Sequence, residues 1–160
     1  MRYAIVYSSR TGNTALLADT IHKTLPAGDC LYFGAPDPKA LEADILYVGF
    51  WTDKGTCDET IAAFLKSLTT QRSFLFGTAG FGGDSDYFEK ILNRVRENLA
   101  PGVELVGTYV CQGKMPQAVR QRYEAMEDSP RRTAMLSNFD QALGHPDAKD
   151  LEGLRTAITR

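Results

Sequence analysis

An α/β fold built on a doubly wound parallel sheet is predicted from three observations. Continuous apolar runs, Tyr3-Ala4-Ile5-Val6-Tyr7, Ile45-Leu46-Tyr47-Val48-Gly49-Phe50 and Ser73-Phe74-Leu75-Phe76-Gly77-Thr78-Ala79, have the character of strands buried on both faces. Between them apolar residues recur at helical spacing, as in Leu17, Ala18, Ile21 and Leu25 or Ile61, Phe64, Leu65 and Leu68. Each of the three runs ends abruptly in a hydroxyl- or glycine-rich loop. Strand, loop and helix therefore repeat, and the handedness of such connections makes a parallel sheet of five strands with helices on both faces.

Taken in order, the first strand feeds a helix of about three turns that Pro26-Ala27-Gly28 ends. Cys30-Leu31-Tyr32-Phe33 reads as a short second strand, and residues 34–44, with two prolines, as a connector. The third strand spans residues 45–50, and residues 51–58 form a loop before the second helix, with Asp58 as its cap. Residues 73–79 make the fourth strand. Phe88, Ile91, Leu92, Val95 and Leu99 mark the third helix, closed by Ala100-Pro101-Gly102, and residues 103–110 make the last strand. The stretch from about residue 114 to 160 is helical. Val119, Tyr123 and Met126 mark one helix, Met135, Leu136, Phe139 and Leu143 a second, and Leu151, Leu154 and Ile158 a third. One of these must cover the sheet, and the other two are additions that either pack or face a partner.

The 160 residues are expected to form one domain, residues 1–160, large enough to bury a full core. A hydrophobic content of 43% with 24% charged residues fits a soluble globular protein, and no apolar run approaches the ~18 residues of a membrane span. The start MRYAIVYSS reads directly as a strand and carries no cleavage site, so a cytoplasmic location is expected. A net charge of −2 argues against non-specific nucleic-acid binding. Cys30, Cys57 and Cys111 form no C-x-x-C pair, and His22 and His145 have no metal-ligand spacing, so neither a metal site nor a disulfide framework is expected. Cys57 sits just before a helix start, where thiolate character can rise, but no phosphatase-type loop surrounds any of the three cysteines. Cys57 is expected near the ligand, without a catalytic role.

The sequence concentrates its chemistry after the first strand. A strand that enters a turn and then a helix N-terminus presents unpaired backbone N–H groups and the positive end of the helix dipole to one spot, which is an anion site. Ser9-Arg10-Thr11-Gly12-Asn13-Thr14 matches neither G-x-x-x-x-G-K-[ST] for a nucleoside triphosphate nor G-x-G-x-x-G for a dinucleotide. Its hydroxyls suit a phosphate monoester. In open sheets ligands bind beyond the strand C-termini where the strand order reverses, so the loops after strands one, three and four should converge.

Ser9-Arg10-Thr11-Gly12-Asn13-Thr14 fits the pattern [ST]-x-T-G-x-T, and here the chain resembles the flavodoxin family, over roughly residues 1–113. The resemblance implies strand order 2-1-3-4-5, non-covalently bound FMN with its phosphate in the 9–14 loop, and one-electron transfer. It places Trp51 beside the isoalloxazine ring, with Thr52, Asp53, Lys54 and Gly55 next to it. The glycine there would allow a peptide carbonyl to accept the N5–H of reduced flavin. Thr78, Ala79, Gly80, Phe81, Gly82 and Gly83 would wrap the other side of the ring. Typical flavodoxins have a longer loop there with a tyrosine and a cysteine, which leaves open whether Phe81, Tyr87 or neither stacks.

Response-regulator receivers share the fold but need acids where Ser8-Ser9 and Phe50-Trp51 stand. The segments 49–59, 76–83 and 111–116 look closer to a flavodoxin-like branch from anaerobic bacteria that accompanies bilirubin reductase. The implied partner is thus a redox protein, a reductase, with no nucleic acid and no membrane insertion. The alternative is an enzyme, an FMN-dependent NAD(P)H quinone or nitro reductase of the same fold.

Overall fold

The computed structural model describes residues 1–82 and 85–160. Five parallel strands, β1 (Tyr3–Tyr7), β2 (Cys30–Gly34), β3 (Ile45–Asp53), β5 (Arg72–Ala79) and β6 (Leu105–Gln112), lie in the order β2-β1-β3-β5-β6. Counting only the parallel strands, this is the expected 2-1-3-4-5 arrangement.

The sixth strand was not expected. β4 (Thr56–Cys57) pairs antiparallel with the end of β3, Thr52 opposite Cys57 and Asp53 opposite Thr56. The expected loop at 51–58 is therefore a hairpin, and β3 runs on through Trp51 to Asp53. Its two-residue turn has positive φ at both Lys54 (54°) and Gly55 (84°), the requirement of a type I′ turn, whose twist matches that of the flanking strands. The last strand lies two residues later than expected, because Thr78 and Ala79 at the end of β5 pair with Cys111 and Gln112.

Side chains alternate between two cores. Ala4, Val6, Leu46, Val48 and Leu75 face the helices α2 (Glu59–Lys66) and α3 (Ser85–Arg96), where Ile61, Leu65, Ile91 and Val95 are buried. Ile5, Tyr47, Phe74 and Phe76 face α1 (Asn13–Thr24) and α6 (Ala148–Ile158), which supply Leu17, Ile21 and Leu154. The helix that covers the sheet is thus α6, the last in the chain. Two aromatics lie over glycines at the centre, one on each face of the sheet: Phe76 opposite Gly49 and Phe50 opposite Gly77, and a Cβ on either glycine would run into the facing ring. Both phenylalanines are fully buried.

The remaining two helices, α4 (Gln117–Glu124) and α5 (Pro130–Ala142), pack on each other at the β6 edge. Arg120 there makes a two-pronged ion pair with Asp140 at 3.0 and 3.2 Å. Arg132 of α5 donates to the Tyr123 and Glu124 carbonyls at the end of α4, at 3.3 Å each. Among the described residues no helix is long and apolar enough to cross a membrane.

Candidate functional site

The three sheet-borne loops converge at the C-terminal ends of β1, β3 and β5 around a cavity of about 300 Å³, at the low end of the range of small-molecule sites. From the first loop Arg10, Thr11 and Asn13 line it. From the second come Trp51, Thr52, Asp53, Lys54 and Gly55, and from the third Thr78, Ala79, Gly80 and Phe81. Ser9, Gly12, Thr14 and Gly82 do not line it, and Gly83, with its neighbour Asp84, lies outside the described residues.

The 9–14 turn is built around Gly12, whose φ of 89° is cheap only without a Cβ and which stands as the N-cap of α1. Ser9 Oγ accepts from the Ala15 N–H at 3.2 Å, while the amides of Asn13 and Thr14 have no intrahelical acceptor by position. The three hydroxyls do not converge as the motif alone suggests. Ser9 Oγ keeps its own proton free to donate. Thr11 Oγ1 reaches the Lys114 carbonyl at 3.3 Å. Thr14, fully buried, donates to the Phe50 carbonyl at 3.0 Å and lies 3.2 Å from Thr78 Oγ1, tying the turn to β3 and β5 from below.

In the second loop, half-buried Trp51 lies under the Arg10 guanidinium, whose carbon stands 5.4 Å from the ring centroid. Asp58 fixes the Trp51 backbone by accepting its N–H at 3.2 Å on one carboxylate oxygen while the other caps α2 through the Ile61 N–H at 3.3 Å. Burial pushes the Asp58 carboxyl above its usual range, opposed by hydrogen bonds from Ser8 and these amides. Gly55 presents its carbonyl to Arg94 Nη1 at 3.3 Å, so that oxygen is committed toward α3. Thr52 borders the cavity, but its Oγ1 is closed off from solvent and has no hydrogen-bond partner among the described residues.

In the third loop, Gly80 is clamped by two amides that donate to its carbonyl at 3.1 Å, from Gln112 of β6 and Asn138 of α5. Phe81 sits edge-on to Tyr87, centroids 6.2 Å apart, and both rings line the cavity. Burial raises the Tyr87 hydroxyl above its ordinary value.

The wall opposite these loops was missed at the sequence level. Gly113, Lys114, Met115 and Pro116, and then Val119, Arg122 and Tyr123 of α4, complete the lining. The Lys114 carbonyl accepts from Asn13 Nδ2 at 2.8 Å as well as from Thr11, so the phosphate-type turn and this wall are joined directly. Met115 packs so closely on Gly80 that a Cβ there would strike its sulfur, and Gly113 leaves room for the Asn13 amide. The signal was present only as the apolar and small residues of 113–116; nothing local says that they return to the first loop.

Cys57 is not at this site. It lies in a separate recess between α2 and α3, and burial, reinforced by the Asp58 charge, pushes its thiol up to about 11, so the expected thiolate character does not arise. His145, partly exposed, has its Nδ1 2.7 Å from Asp150 Oδ2, beside the Asp147–Asp150 capping box of α6.

A doubly wound sheet with three loops converging at the switch in strand order, one a hydroxyl-rich turn at a helix N-terminus, defines the flavodoxin-like class of folds. The family model described as a flavodoxin domain matches residues 4–159, and the chain belongs to this family. It is 42% identical to the flavodoxin-like domain-containing protein BilS of Clostridium symbiosum (strain WAL-14163), with 94% of this chain and 90% of that protein covered. The protein of the same description from Clostridioides difficile (strain CD3) is 26% identical over the same shares. Among solved structures, a flavodoxin of Streptococcus pneumonia TIGR4 superposes with a TM-score of 0.53 at 19% identity, covering 90% of this chain and 98% of that one. A flavoprotein of Lactobacillus acidophilus NCFM in complex with FMN gives 0.52 at 15% identity, over 68% and 92%.

Proposed function

We propose that this protein is an electron carrier that holds FMN non-covalently and passes electrons singly to a partner reductase. The observation that carries the reading is the cavity itself, which brings Arg10, Thr11 and Asn13 of the first turn together with the aromatic residues Trp51, Phe81 and Tyr87. The residues suit the group: the 9–14 turn would take the phosphate through the Asn13 and Thr14 amides and the Ser9 hydroxyl, and Trp51 with Phe81 or Tyr87 would flank the ring. When bound, FMN supplies reversible uptake of electrons.

The chain's own part is to bind, orient and exclude water. The Gly80 carbonyl, held by Gln112 and Asn138, ties the start of the third loop to β6 and α5. The expected partner is the one suggested by the sequence resemblance, a bilirubin reductase.

A potentiometric titration of the FMN-loaded protein tests this. Two resolved one-electron steps are expected. A single two-electron step, together with steady NAD(P)H oxidation by the protein alone, would instead identify a quinone or nitro reductase.

A further inference from the structure

The rim of the cavity is positive although the chain as a whole carries a net charge of −2. Arg10, Lys54, Lys114 and Arg122 line the mouth from four separate segments: the phosphate-type turn, the β3–β4 hairpin, the segment after β6, and α4. All four are exposed, and none forms an ion pair among the described residues. Asp53 is the one carboxylate among the described lining residues. A bound FMN phosphate would add about 1.5–2 negative charges, which with Asp53 still leaves the four cations in excess. Arg94 adds a fifth cation where it holds the Gly55 carbonyl.

The anion site at the 9–14 turn does not account for them. Of the four, only Arg10 belongs to that turn, where its guanidinium lies over Trp51. Lys54 sits on the hairpin turn, at positive φ, and Arg122 on the last turn of a helix from the opposite wall. Binding one small anion calls for donors that converge, whereas charges spread around an opening form a field that orients a large body.

We infer that this rim is the docking surface for the redox partner and that the partner presents an acidic face to it. The inference rests on the electron-carrier reading and adds the sign of the partner's surface. Steering of this kind raises encounter rates by about 10- to 1,000-fold at low salt and fades as the Debye length shrinks from ~30 Å at 0.01 M to ~6 Å at 0.3 M.

The test uses one haem protein in two charge states, native cytochrome c, which is cationic, and the same protein succinylated on its lysines, which is anionic. Photoreduced FMN-loaded protein is mixed with each. Every transfer moves one electron from the reduced protein to one ferric haem, and each rate is divided by that for a neutral quinone so that changes in the flavin cancel. The anionic cytochrome should react about tenfold faster or more than the cationic one at low salt, the preference should vanish by about 0.3 M salt, and K114Q/R122Q should shrink it. Faster reaction with the cationic form, or equal rates at all salt concentrations, would overturn the acidic-partner assignment while leaving the carrier reading intact. Electron delivery to the quinone alone, with neither cytochrome reduced, would overturn both.

Discussion

The loops at residues 9–14, 51–55 and 78–82 and the wall at residues 113–123 face each other across one cavity but are held by different means. The loops grow out of strands whose register is fixed along five to seven residue pairs, so their positions follow from the sheet. The wall follows from a handful of long-range contacts: Asn13 and Thr11 on the Lys114 carbonyl, Met115 against Gly80, and the Gly113 N–H on the Ala79 carbonyl at 2.9 Å. Damage to the scaffold should therefore appear as lost stability, and damage to the wall as lost ligand affinity with stability largely kept.

The strongest contrast is expected from Phe76→Ala. Its ring fills the space over Gly49 in a fully buried core, so the variant should lose about 3–5 kcal/mol in denaturant unfolding and bind poorly because little of it is folded. Retention of parental stability would mean that the Phe76 ring over Gly49 does not hold the central strands.

Asp58→Ala comes next, at about 2 kcal/mol, since it removes the cap of α2 and leaves the Trp51 N–H without its acceptor. Asp58 also carries a pH signature. Because burial raises its folded value, the native state holds the proton more tightly than the unfolded chain. The stability from this group is full below the ordinary carboxylate value near 3.8 and is lost as pH rises through the raised folded value. Subtracting the stability profile of Asp58→Asn from that of the parent should expose a fall with rising pH over the mildly acidic range. A difference that rises with pH would reverse the sign of the burial effect.

Asn13→Ala, which cuts the link between turn and wall, should cost about 1 kcal/mol of stability and loosen FMN by more than that. Met115→Ala is the smallest, with less than about 1 kcal/mol expected in unfolding and the change confined to FMN affinity. A variant of the wall that unfolds the protein while Asn13→Ala does not would erase the distinction between the two regions.

What could be read from the sequence divides along the same line. β1, β3 and β5 are continuous apolar runs, and Arg10, Thr11 and Asn13 of the turn between β1 and α1 line the cavity with the loops after β3 and β5, so both the sheet and half of the cavity lining were legible. The β3–β4 hairpin was not, because Lys54-Gly55 places a lysine where Asn or Asp usually marks a type I′ turn, and β4 is only two residues long. The roles of the hydroxyls were also hidden. That Thr14 turns down to Phe50 rather than toward the anion site depends on where β3 lies, a non-local fact. The lining by α4 follows from the return of the chain after β6, which no local periodicity encodes.

The central claim is that the 9–14 turn grips the phosphate of FMN while the remaining loops and the wall grip the ring. Titration of the apoprotein with FMN and with riboflavin, followed by flavin fluorescence, tests it most directly. Two charge-assisted hydrogen bonds at about 1.5–3 kcal/mol each correspond to at least ~100-fold tighter binding of FMN. The account predicts that preference, with the fluorescence of both bound flavins quenched by Trp51. Equal affinity for the two flavins would contradict it.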